Sequence, residues 1–157
     1  MCRVENILYD SVSKCIESLK DCSSKSYFVL QLNAQNTQYH SKLRLFIVKL
    51  LSTHLLKKFP NLIKDIRIYG STMEYNACTY SDIDIIIKTN RLNSLLLVEL
   101  KKIDKSLSEQ YCLLLNIKAS DWCYMLDAHI INDSPKSPVN PSNAYLEHIY
   151  SYEACAV

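Results

Sequence analysis

Apolar residues recur at helical spacing in some stretches of the chain and alternate with polar ones in others. From about Glu5 to Cys22, the positions Ile7, Leu8, Val12, Cys15, Ile16 and Leu19 predict a first helix. Residues Ser23 to Asn36 read as a polar connection that holds a short apolar run, Tyr27-Phe28-Val29-Leu30. Thr37 to Phe59 predicts a long second helix. Its apolar stripe is Leu43, Phe46, Ile47, Leu50, Leu51, Leu55 and Leu56, with Lys42, Arg44, Lys49, Lys57 and Lys58 largely off it. Pro60 stops that helix, because its ring and missing N–H do not fit a helix interior.

The pattern then changes to strands. Ile63 to Tyr69 alternates Ile66 and Ile68 with Asp65 and Arg67, and Asp82 to Lys88 predicts a second strand. Between them, Ser71 to Asn76 predicts a short helix. Ser94 to Leu107 is helical by Leu96, Leu97, Leu100 and Ile103, with Lys101, Lys102 and Lys105 mostly outside the stripe. Tyr111 to Ala119 and Trp122 to Ile131 read as a hairpin turned at Ser120-Asp121, and a tail with three prolines follows before a last helix near Asn143. No repeat or low-complexity tract interrupts this order. The expected class is α+β, a mixed sheet flanked by helices.

Composition narrows the picture. A chain of 157 residues that is 48% apolar fits one domain with a sizeable core. A formal charge of +2 does not by itself mark a nucleic-acid binder. No apolar stretch approaches a membrane span, and Glu5 and Asp10 with no apolar core behind them argue against a signal peptide. The seven cysteines contain no Cys-x-x-Cys pair and read as bystanders in a reducing compartment, so an intracellular location, cytoplasmic or nuclear, is expected. His40, His54, His129 and His148 are scattered and read as surface or satisfied core residues.

The candidate chemistry lies between the two predicted strands. Gly70 is the single glycine, and Ser71 follows it. On a strand, Asp82 and Asp84 point to the same face, while Ile83, Ile85 and Ile87 supply the buried one. Side by side, two bare carboxylates repel, and a cation between them reverses the sign. Taken alone, the pair reads equally as ordinary acids on a half-exposed strand. Gly70-Ser71 adds a hydroxyl, backbone N–H groups and room for a phosphate to approach the backbone. Ser71 to Glu74 also fits a capping box. A third acid, Asp127, sits inside the apolar run Leu126 to Ile130, where an unpaired carboxylate is costly. Asp121 competes with it, but its Ser-Asp-Trp setting reads as a turn.

Together, the apolar strand, Gly70-Ser71, the Asp82-Ile83-Asp84 strand and the later Asp127 resemble the signature of the polymerase β-like nucleotidyltransferase superfamily. Ser81-Asp82-Ile83-Asp84-Ile85 is most similar to the RNA-tailing group, the cytoplasmic poly(A) polymerases and terminal uridylyltransferases. Asn143 to Tyr150 resembles the start of a helix that follows the catalytic domain in that group. The resemblance implies a palm-like catalytic domain over 37–133, preceded by an N-terminal helix and connection over 1–36. Residues 134–157 are then a tail and the start of a helix whose usual following domain is absent.

That resemblance also implies a reaction. Asp82, Asp84 and Asp127 would hold two Mg²⁺ (or Mn²⁺) ions, with Gly70 and Ser71 on the outer phosphates of an NTP, ATP or UTP. The acceptor would be an RNA 3′ end, lengthened by AMP or UMP in polyadenylation or uridylylation. Two departures accompany it. The group usually has Gly-Leu where this chain has Tyr75-Asn76, and Asn76 is expected to take the left-handed conformation instead. The helical domain that usually follows would begin just as the chain reaches Val157, so either a protein partner supplies that wall of the cleft, or the chain is a truncated product or a compact relative with another role. The alternatives are a catalytically weak or inactive subunit of the same fold that needs or regulates a partner, a small nucleotidyltransferase modifying a protein or small molecule, and an unrelated globular domain. The paired lysines on the helix faces and Tyr69, Tyr75 and Tyr80 read as solvated face and packing residues before they read as RNA contacts.

Overall fold

The computed structural model describes residues 6–118, 124–132 and 147–151. Within them the elements run α1 (Ile7–Ser18), α2 (Lys25–Asn33), α3 (Thr37–Lys58), β1 (Ile63–Tyr69), β2 (Ile83–Thr89), α4 (Ser94–Leu115), β3 (Leu126–Asn132) and β4 (Glu147–Ser151). The class is α+β: a mixed sheet core of β3, β2 and β1, extended by β4 in the order β3-β2-β1-β4. β1 pairs antiparallel with β2 and β4, whereas β2 pairs parallel with β3. No helix among the described residues is long and apolar enough to cross a membrane.

The helices pack over one face of the sheet, and a single cluster unites them with it. Leu43, Ile47, Leu51 and Leu55 of α3 meet Ile66 and Ile68 of β1 and Ile83, Ile85 and Ile87 of β2, all fully buried. Burying side chains of this size stabilises by about 1.5–3 kcal/mol each. The alternation of β2 therefore turns Asp84 away from the helices, toward the open face.

Three expectations change. The polar connection contains helix α2: Ser24 caps it by accepting from the Tyr27 N–H at 3.2 Å, and Phe28 and Leu32, four apart, bury its inner side. No hairpin is formed by 111–131. Helix α4 continues instead through Tyr111 and Leu115, which extend the stripe of Leu100, Ile103 and Leu107, and ends at Asn116 in a left-handed cap. α4 thereby becomes the crossover of a β-α-β unit, which is why β3 runs parallel to β2. Finally, residues 147–151 form strand β4 on the outer edge of β1, in place of the expected helix; 143–146 lie outside the described residues. Pairing there satisfies an edge of β1 that would otherwise expose its backbone groups.

Candidate metal centre

β1 ends at Tyr69, and the chain turns through Gly70–Thr72 as one 3₁₀ turn. The expected helix over Ser71 to Asn76 is not formed, and neither is its capping box: Met73 and Glu74 both donate their N–H to the Gly70 carbonyl. Gly70 has φ +70, and a Cβ placed on it would collide with Asp84 Oδ2. The space over Gly70 is thus filled by the carboxylate of Asp84, which a side chain would displace. The room over Gly70 that the sequence offers to a phosphate is, in the fold, shared with the Asp84 carboxylate. Downstream, the left-handed residue is Tyr75 (φ 56) and not Asn76. Tyr75 occupies the position at which the resemblance expects glycine, and it does so at a conformational cost of about 1 kcal/mol.

The sheet register assembles the acids. Asp84 of β2 lies directly beside Asp127 of the parallel strand β3, and Asp82 precedes β2 by one residue. One carboxylate oxygen from each of Asp82, Asp84 and Asp127 lies within 4.8 Å of the others. All three side chains are half-buried. Burial, with Asp82 and then Asp127 close by, pushes the Asp84 carboxyl up to about 6. The cluster resists carrying three negative charges by itself, and a bound cation would remove that resistance. Oxygen-only ligands of this charge suit a hard dication such as Mg²⁺ or Mn²⁺. Asp121 lies outside the described residues. Ser71 sits half-buried in the turn beside Gly70.

Two neighbours flank the acids: His129, which the sequence does not single out as a site residue, and Tyr69, which it reads as a packing residue. His129 Nε2 lies 3.3 Å from Asp127 Oδ2, and the His129 ring is 6.4 Å from that of Tyr69. The period-2 rule could have found His129, since it shares a strand face with Asp127. Burial and then the nearby acids, Asp84 first, raise the Tyr69 phenol above its ordinary value. Tyr75 and Tyr80 are exposed rather than packed.

Both strands that carry the acids are anchored at their starts. Ile83 N–H donates to the Met125 carbonyl at 2.7 Å, opening the β2–β3 ladder. Asp104 of α4 accepts from the N–H groups of Met125 (2.7 Å) and Leu126 (2.9 Å). Arg44, expected off the apolar stripe, is instead fully buried on α3 and points into the loop before Asp82. Nothing in a single helix pattern marks it, because the loop carbonyls it bonds, those of Cys78, Thr79 and Ser81, lie more than thirty residues away. Among the described cysteines, Cys15, Cys22 and Cys78 are free thiols. The chain matches no protein-family model, and no curated protein matches it.

Proposed function

We propose that the chain is a nucleotidyltransferase of the polymerase β-like kind, transferring AMP or UMP from an NTP to the 3′ hydroxyl of an RNA. The observation that carries the reading is the convergence of Asp82, Asp84 and Asp127 beside the Gly70 turn. The similarity of Ser81 to Ile85 to the RNA-tailing group supports the choice of acceptor. In the reaction, the 3′ oxygen bonds to the α-phosphorus, the bond from that phosphorus to the bridging oxygen breaks, and pyrophosphate leaves with the electron pair.

Asp82, Asp84 and Asp127 would hold Mg²⁺ or Mn²⁺. Bound there, the dications would supply Lewis-acid stabilisation of charge on the transferring phosphoryl group. The protein's own part is positioning. Asp84 is seated on Gly70, and Asp127 is steadied by His129 and by its place in the ladder. The Ser71 hydroxyl faces the outer phosphates in this reading. The hydroxyl proton leaves to the carboxylate cluster or to solvent.

The test is direct. The protein is incubated with Mg²⁺, each NTP in turn and a short RNA, and 3′ extension is read on a gel. Extension by wild type that is abolished in Asp84→Ala is the expected result. No extension with any NTP overturns the enzyme reading, and an Asp84→Ala as active as wild type overturns the site.

A further inference from the structure

Arg44 is fully buried, and among the described residues no carboxylate pairs with it. Its donors go to backbone carbonyls on a loop far along the chain. Nη2 donates to the carbonyl of Cys78 at 2.8 Å, of Ser81 at 2.8 Å and of Thr79 at 3.4 Å, and Nε donates to the same Ser81 carbonyl at 3.2 Å. Nη1 donates to the His40 carbonyl at 3.3 Å and to His40 Nδ1 at 3.2 Å. Burying a guanidinium without a counter-charge is expensive, and an apolar side chain would complete the α3 stripe at lower cost. The arginine does something that packing does not require.

We propose that Arg44 is a positioning residue for the carboxylate cluster: it fixes the Ser81 carbonyl, and with it the peptide plane from which Asp82 projects. This rests on the reading of the cluster as a metal centre. The peptide group is planar, so two N–H donors on the Ser81 oxygen also set the direction of the Asp82 nitrogen. The next peptide is held from the other side by the Ile83 N–H on Met125. Asp82 therefore stands between two anchored peptide planes.

The rest of the loop is held by the same helix and the residues that lead into it. Gln35 donates to Thr79 Oγ1 at 2.6 Å and accepts the Thr79 N–H at 3.1 Å. Ser41 Oγ accepts the Ala77 N–H at 3.3 Å. His40 completes the support. Because an arginine only donates, His40 Nδ1 is the acceptor, and Nε2 carries the proton that goes to the Leu32 carbonyl at 2.8 Å. Tyr111 donates its O–H to the same Nδ1 at 2.9 Å. The planar fork of arginine reaches several carbonyls from fixed directions, which the single ammonium of lysine does not.

The experiment compares wild type, Arg44→Lys and Leu55→Ala, a core truncation at the far end of α3. Mn²⁺ affinity is read by electron paramagnetic resonance and stability by thermal melting. Arg44→Lys is expected to bind Mn²⁺ about 10- to 100-fold more weakly, as for other residues that orient metal ligands. Leu55→Ala is expected to melt earlier with its Mn²⁺ affinity unchanged. If wild type binds Mn²⁺ and Arg44→Lys binds it equally well, the positioning role is overturned while the metal centre stands. If wild type binds no Mn²⁺, the metal centre falls and the role falls with it. Should Arg44→Lys not fold, wild type alone decides by ¹⁵N relaxation. Residues 78–82 must be as rigid as α3, and order parameters below about 0.6 there overturn the proposal.

Discussion

At Gly70 two independent constraints coincide: a backbone at φ +70 and an Asp84 carboxylate packed against its Cα. Either alone disfavours a side chain, and together they tie the turn to the acid it seats. Gly70→Ala is expected to destabilise the protein by about 1–3 kcal/mol in urea unfolding. It should also weaken Mn²⁺ binding, because the new methyl pushes Asp84 out of its seat. A variant as stable as wild type would show that the turn relaxes freely. The glycine itself was legible from its single use in the chain. Its reason was not, since the residue it accommodates lies fourteen positions further on, across a strand pair that only folding brings together.

Among the elements, α4 decides most about the site. Its length makes it a crossover, the crossover makes β3 parallel to β2, and the parallel register sets Asp127 beside Asp84. Asp104, one side chain of this helix, holds the first two N–H groups at the start of β3. Asp104→Ala leaves those donors without their acceptor and is expected to cost about 2 kcal/mol of unfolding free energy. Amide exchange at Met125 and Leu126 should accelerate more than in the centre of α3, and equal acceleration everywhere would deny Asp104 this local role. The sequence reading divided α4 at Leu107 because Tyr111 to Ala119 carries β-favouring residues. The helical stripe of Leu107, Tyr111 and Leu115 outweighs that propensity once it has a core to face.

Across the whole molecule, the helical layer converges on His40. The ring joins α3 to the Leu32 carbonyl of α2 and the Tyr111 hydroxyl of α4, with Arg44 against it. Burial, and then the Arg44 charge, push its pKa down from 6.5 to about 4. The sign follows. A depressed histidine binds fewer protons folded than unfolded, so its contribution is complete above about pH 6.5 and is lost as pH falls toward about 4. Asp84, raised to about 6, acts with the opposite sign, its contribution being lost as pH rises through that value. The difference between wild type and His40→Gln isolates the histidine. In denaturant unfolding from pH 7 to pH 4, wild type should lose its advantage over the variant as the pH drops. A constant difference would mean that folding does not shift the His40 titration. A second tie, Glu99 to His54 at 2.7 Å and to Lys58 at 2.6 Å, joins α3 to α4 away from the acids.

The sequence by itself determined the elements whose pattern is local. Helix α3 and strand β1 lie where the periodicity puts them, because the side chains that repeat are the ones that must be buried. It also singled out Asp82, Asp84 and Asp127 as candidate site acids, although β2 begins at Ile83 and Asp82 lies just before the strand it was expected to open. Tertiary structure decided what depends on distant partners. The β2–β3 register brings Asp127 to Asp84, and Arg44 is buried because its acceptors arrive from residues 78–81. Hydrophobic period sets which face of an element is inside. Which residues then stand opposite one another is set by chain crossings that no local period records.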